Sequence, residues 1–294
     1  MSARLSGTND TTIHDLGYRR YEGAREGVRG AWRALFAQGF RAMFGLGRPL
    51  KSKAMPAFAL AATMLPCLAT LAAASATKGQ LPIMYGTLIE SQLILFVLFA
   101  AAQAPEVMSH DQQHRVLPLI LTRDVTRDVY ASARIAAVLC ALLVVCAAPL
   151  LLLYIGEIGI AVDPATAFAK MGTKIRPVLM QATLTAWVIG AIGAAMASMT
   201  ARRAYATASI IGVFLVAAAV SIGLDDLAGV STEISGFVDP LRSLHKMALM
   251  LFGEKNRAME VAAPPPLWMF VALALSLGAA GVLATFWRLR RVRV

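Results

Sequence analysis

The residues best suited to chemistry stand in one short stretch. HDQQH places His110 and His114 four residues apart on one helix face, with Asp111 where the zinc-protease motif H-E-x-x-H carries its glutamate. Two imidazoles do not make a catalytic zinc site without a third ligand. The nearest acid pair, Asp225 and Asp226, falls on the opposite side of the membrane in the topology derived below. The histidines are therefore expected on a solvated, partner-facing helix with no metal, an intramembrane metallopeptidase being the alternative. A second candidate is Glu90, an ionisable group inside an apolar run, where stranding in lipid costs about 2.5 kcal/mol or more. Glu90 and Gln92 are candidates to line a translocation pathway. Otherwise Glu90 snorkels to the outer surface, or takes a hydrogen bond from Ser91, Gln92 or a neighbouring helix.

The chain contains no G-x-x-x-x-G-K-[ST] phosphate loop, dinucleotide fingerprint or G-x-S-x-G elbow. It is not expected to be an enzyme by itself or to bind a cofactor. Glu90 is the lone charge deep in a span, which argues against a proton- or sodium-driven carrier. Cys67, Cys140 and Cys146 all fall inside apolar runs and read as small core residues instead of a disulfide framework.

The elements that must position these groups are membrane helices. Of 294 residues, 58% are hydrophobic and 15% charged, with a mean hydropathy of +0.64. Six runs approach the roughly 20 residues needed to cross a hydrocarbon core: 54–76, 83–107, 131–155, 177–200, 204–224 and 267–287. In the fourth, Ala186, Gly190 and Ala194 recur at four-residue spacing and predict close packing inside a bundle. The expected fold is an all-α membrane protein with a cytoplasmic segment over 1–53, a six-span domain over 54–287 and a basic tail over 288–294.

The net charge of +11 tests this arrangement. The proposed inner side carries twenty Lys or Arg against eight acids and the outer side eight against eight, with Glu90 left in a span. That asymmetry follows the positive-inside rule with both termini cytoplasmic, and explains the basic excess without nucleic acid. No cleavable signal peptide is expected, because residues 1–53 hold ten Lys or Arg and no long apolar run.

Three segments outside the spans carry local signals. Residues 28–46 place Trp32, Phe36 and Phe40 at helical spacing with Arg29, Arg33 and Arg41 between them, predicting an amphipathic helix in the headgroup layer or packed on another cytoplasmic part. In VDPLRSLHKMALMLFG, Asp239 reads as an N-cap, Pro240 as the first helical residue and Gly253 as the stop. The resulting short helix would dip into the outer leaflet or lie over the bundle. Between the second and third spans, residues 106–117 read as one short helix with a polar face of His110, Asp111, Gln112, His114 and Arg115, preceded by Glu106 and broken by Pro118. Thr126 then caps the next helix, with Asp128 in its first turn.

The stretch LPLILTRDVTRDVYASAR resembles the cytoplasmic segment of ABC-2 type permeases, the membrane subunits of bacterial ABC exporters. That segment is leucine-rich, then reads Ser/Thr-Arg-Pro-Val-Ser/Thr-Arg, a Tyr three residues on and a basic residue four beyond. Leu117, Pro118, Leu119, Leu121, Thr122, Arg123, Val125, Thr126, Arg127, Tyr130 and Arg134 match it. Asp124 replaces the usual proline, and Arg134 stands where lysine is common. IHDLGYRRYEGAR near the start also resembles the N-terminal tag of one branch of that family. The resemblance implies a multi-pass protein of the bacterial inner membrane that pairs with a second permease copy. Two separate ATP-binding-cassette subunits would dock beneath, contacting Glu106, His110, Asp111, Gln112, His114, Arg115 and Pro118. It implies a pathway lined partly by the second and fifth spans, and leaves a non-transporting assembly or signalling subunit as a further reading. The mostly Ala, Leu and Val spans lean toward an amphipathic or lipid-like cargo.

Overall fold

A computed structural model describes residues 27–47, 49–77, 82–114, 117–121, 125–161, 172–226, 235–254 and 265–291. Among them every regular element is a helix: α1 (Gly27–Met43), α2 (Leu50–Ala76), α3 (Tyr85–Met108), α4 (His110–Gln113), α5 (Leu117–Leu121), α6 (Arg127–Ile160), α7 (Ile175–Met199), α8 (Arg203–Asp226), α9 (Pro240–Phe252) and α10 (Leu267–Arg291). Helices α2, α3, α6, α7, α8 and α10 are long and apolar enough to cross a membrane, as a multi-pass membrane protein requires. Each of the six expected runs falls on one of them, with 83–107 starting two residues before α3 and 177–200 ending one residue past α7. The 34 residues of α6 give about 51 Å, well beyond a core of about 30 Å.

Helix α7 is the central post, packing on α10, α6, α3, α8 and α9. Its small residues make that possible. A Cβ added at Gly190 would sit 2.8 Å from the Leu139 side chain of α6, and one at Gly281 of α10 would sit 2.7 Å from the Ala191 backbone. Ala186 and Ala194 are buried on the same helix, as their spacing predicts. By contrast, α2, α8 and α10 bury little of their surface.

Pro105 lies near the end of α3, where its missing N–H leaves the Ala101 carbonyl without the usual helical donor. Thr207 of α8 supplies one, its Oγ1 donating to that carbonyl at 2.9 Å. The same proline that weakens α3 internally thereby gives it a tie to α8.

Helix α9 starts and stops where its sequence dictates. The Asp239 carboxylate accepts from Leu241 N at 2.9 Å, Pro240 follows, and Gly253 ends the helix in the left-handed conformation at φ 68°. It lies over the bundle, packed on α3, α7 and α10. Thr126 likewise caps α6, accepting from Val129 N at 3.4 Å.

One expectation is corrected. Residues 106–117 do not make one helix broken by Pro118. Helix α3 continues to Met108, α4 is a single turn, and Pro118 sits in the first turn of α5, where its lost N–H leaves no helical bond unmade. The aromatic face of α1 is half-buried: Trp32, Phe36, Phe40 and Phe44 contact one another in series, and Phe44 meets Phe99 of α3. Arg29, Arg33 and Arg41 are exposed on the same helix. The IHDLGYRRYEGAR segment, Arg115 and the Thr122–Arg123–Asp124 part of the motif lie outside the described residues.

Candidate functional site

Arg134, about two turns into α6, is among the most buried side chains, 2% exposed. An isolated guanidinium there would be very costly, so its partners define the site. Its Nη2 donates to Asp111 Oδ2 at 2.5 Å and to Gln38 Oε1 of α1 at 3.0 Å. Asp111 Oδ2 also accepts from the Tyr130 hydroxyl at 2.8 Å, and the guanidinium lies 5.4 Å from the centre of the Tyr130 ring. One neutralised ion pair therefore joins α1, α4 and α6. The i, i+4 spacing of Tyr130 and Arg134 puts both on the face of α6 that meets α4.

Around this cluster the flanking polar groups fasten further elements. Ser109 Oγ donates to Ala197 O at 2.7 Å and Gln112 Nε2 to Ser198 O at 3.1 Å, covering carbonyls in the last turn of α7 that have no intrahelical donor. Glu106 pairs with Arg203 at the start of α8. Asp128 receives a two-pronged bond from Arg290 of α10, at 2.7 and 3.0 Å. Arg127 donates to the Arg290 carbonyl at 2.6 Å, and Trp32 Nε1 to Ser132 Oγ at 3.1 Å. The α4 turn is thus the hub of one end of the bundle.

Asp111 and Glu106 consequently do not present their carboxylates to solvent as a polar docking face. The reason in each case is a cation from a neighbouring helix that neutralises them in place. His110 and His114 do face outward: His110, His114 and Gln113 are exposed, Gln112 and Pro118 half-buried, and the imidazoles meet at a tilt with centres 4.5 Å apart. Asp111 Oδ1 lies 3.8 Å from His110 Nδ1, beyond hydrogen-bond distance. Among the described residues no three His, Cys, Asp or Glu side chains converge on a point that would hold a metal ion.

The opposite end is organised by α9. Glu254, just past Gly253, turns its carboxylate onto Gly86 N at 3.0 and 3.1 Å, capping the first turn of α3. Tyr85 stacks on Phe252 and donates to Glu157, which also accepts from Lys174 at 2.7 Å. Glu90 is exposed, its Oε2 3.6 Å from His245 Nε2 of α9. Burial pushes His245 below the ordinary histidine value, against the pull of Glu90 and Glu254 and with Lys246 adding to the depression. Gln92, the other candidate pathway residue, lies between α2 and α3. It is fully buried, its Nε2 donating to Thr63 O at 3.3 Å and contacting Cys67 Sγ at 3.0 Å, so it staples α3 to α2.

No protein-family model and no curated protein matches the chain.

The pairing of Asp111 with Arg134 spans 23 residues and that of Gln38 with Arg134 spans 96. Sequence reasoning passed over Gln38, Tyr130 and Arg203 as site members. A usable signal was present: Arg134 interrupts an otherwise uncharged run of about 25 residues, and a buried arginine demands an acid partner.

Proposed function

We propose that the chain is the membrane permease subunit of an ATP-binding-cassette exporter, driven by a separate ATPase. In this reading the α1 end of the bundle, which carries the basic excess, faces the cytoplasm. The observation that carries the proposal is the Asp111–Arg134 hub. The α4 turn follows the second span, where the resemblance to ABC-2 permeases puts the ATPase contact, and it is bonded directly to α6 and α7 and, through Arg134, to α1. A displacement of α4 would be handed to three helices without needing to bend any of them.

This divides the coupling segment into two roles. His110, His114 and Gln113 form the surface an ATPase subunit would grip, with half-buried Pro118 following in α5. Asp111, Glu106 and Gln112 transmit that grip inward. The ATPase must hold one arrangement of the helices more tightly than another, since equal binding to both would shift nothing.

Gentle extraction of the tagged full chain from its native membrane tests the reading. A co-purifying subunit with a phosphate-loop motif and ATPase activity is the expected result, with its recovery lost in a His110→Glu/His114→Glu variant that still folds. Recovery of the intact chain with no such subunit refutes it.

A further inference from the structure

An apolar cleft of about 260 Å³ opens on the side of the bundle. Helix α3 forms its floor through Leu98 and Gln103, α2 one wall through Phe58 and Ala62, and α8 the other through Thr207 and Ile211. Its lining is almost wholly hydrocarbon, and Phe58 at its edge is 71% exposed. Along α3 it runs from Leu95 to Gln103, which is about 12 Å of helix, close to the roughly 15 Å depth of one leaflet.

The end of the cleft nearer α1 is polar. Arg203, one turn before Thr207, lays its guanidinium across that end, Nη2 donating to the Ala102 carbonyl at 3.3 Å and Nη1 pairing with Glu106. The Arg203 side chain is nevertheless 54% exposed. An accessible cation thus stands beside an apolar slot of about leaflet depth, and a guanidinium is suited to a lipid phosphate.

We propose that this cleft is a binding site for a membrane phospholipid, one acyl chain lying between α2 and α8 against α3 and the phosphate resting on Arg203. The match is of shape and polarity together: an apolar slot of leaflet depth, open sideways to lipid, with a cation at its headgroup end. Small residues keep the slot open. Ala59, Ala62, Ala101 and Ala102 line it where any larger side chain would fill it. The cleft borders the second and fifth spans to which the resemblance assigns the pathway, but lipid binding there does not require transport, since a lipid would occupy it in a chain that moves nothing.

Photolabelling of the purified full chain decides the matter. The protein is reconstituted into vesicles of phosphatidylethanolamine and phosphatidylglycerol carrying a trace of phospholipid with a diazirine in one acyl chain. Adducts are mapped by peptide mass spectrometry. They are expected to concentrate on Phe58, Leu98 and Ile211 over Leu275 and Leu283, which are exposed on α10. In Ala102→Leu the cleft adducts should be lost while the α10 adducts persist, the latter showing that the bundle is intact. Arg203→Gln should weaken cleft labelling by the phospholipid and leave labelling by a diazirine alkane unchanged. Equal labelling of cleft and α10 in the parent chain overturns the proposal. So does efficient disulfide formation between two Phe58→Cys chains, which would put a second copy of the chain over the cleft.

Discussion

Removing Arg134 alone should destabilise this protein more than removing Arg134 together with its acid. In Arg134→Met, the Asp111 carboxylate stays buried and keeps, among the described residues, the Tyr130 hydroxyl as its one hydrogen-bond donor, since its other bond, at 2.5 Å, came from the guanidinium. Breaking one side of a buried pair costs about 3–5 kcal/mol, whereas replacing both sides by apolar groups of similar volume is often neutral or even stabilising. Arg134→Met should therefore cost about 3–5 kcal/mol and Asp111→Leu/Arg134→Met recover most of that, so the coupling between the two positions is at least as large as the amount recovered. At about 2–4 °C per kcal/mol, the single variant should melt roughly 6–20 °C below the parent. Melting of the detergent-purified parent, two single variants and the double variant gives the cycle. Hydrogen exchange adds a local readout, because Gln38 loses its bond to Arg134 and α1 should exchange faster in both Arg134 variants. A double variant that melts at the sum of the two single losses would show that the pair carries no coupling, and would refute the hub.

Four further outcomes follow from single contacts. Trp32→Phe keeps the stack on Phe36 but loses the bond to Ser132, and should lower stability by about 0.5–1.5 kcal/mol in the same melting assay. Gly281→Ala pushes a Cβ to 2.7 Å from the Ala191 backbone, which has no flexible end to swing aside, so α7 and α10 must separate at a cost of about 1–3 kcal/mol. Asp239→Ala removes the cap of α9 and should cost about 0.5–2 kcal/mol, seen as faster hydrogen exchange in that helix. His245 is held below the ordinary histidine value, so the unfolded chain takes up its proton at higher pH than the folded one. Its contribution to stability is complete above about pH 6.5 and is lost as pH falls below that. His245→Gln should flatten the drop in melting temperature between about pH 7 and pH 5. An unchanged slope would show that the proton is taken up elsewhere.

The sequence was most legible where the signal is local. Hydropathy located all six long helices, because burial in lipid imposes the same requirement on every residue of a span. The caps Thr126 and Asp239 and the stop at Gly253 were readable because each acts within a few residues of itself. Pairings across the fold were not. Nothing within the HDQQH stretch distinguishes Asp111, which turns inward, from His110 and His114, which turn outward; the difference is made by Arg134, 23 residues on and in another helix. Pro118 misled for a related reason. Its ring forbids the interior of a helix but suits the first turn, and which of these applies depends on where the preceding helix has already stopped.

The distribution of ties and gaps bears on how such a subunit could move. At the α1 end, α1, α3, α4, α6, α7, α8 and α10 are joined by the Asp111–Arg134, Glu106–Arg203 and Asp128–Arg290 pairs and the bonds from Ser109 and Gln112. Helix α2 enters none of these. It is held to α3 by Gln92 and otherwise by packing, and it forms one wall of the cleft whose other wall is α8. Under the proposed function, force arriving at α4 would move the tied helices together and change the width of the gap between α8 and α2. The volume change would then fall on the lipid slot and not on the α7 core, whose contacts between small residues have no slack. A spin-label pair across the slot, on Phe58 and Ile211, should therefore show a distance that changes on addition of the ATPase and nucleotide, while a pair across α7 and α10 stays fixed. A fixed slot and a moving α7–α10 pair would place the hinge in the core and overturn this account of the motion.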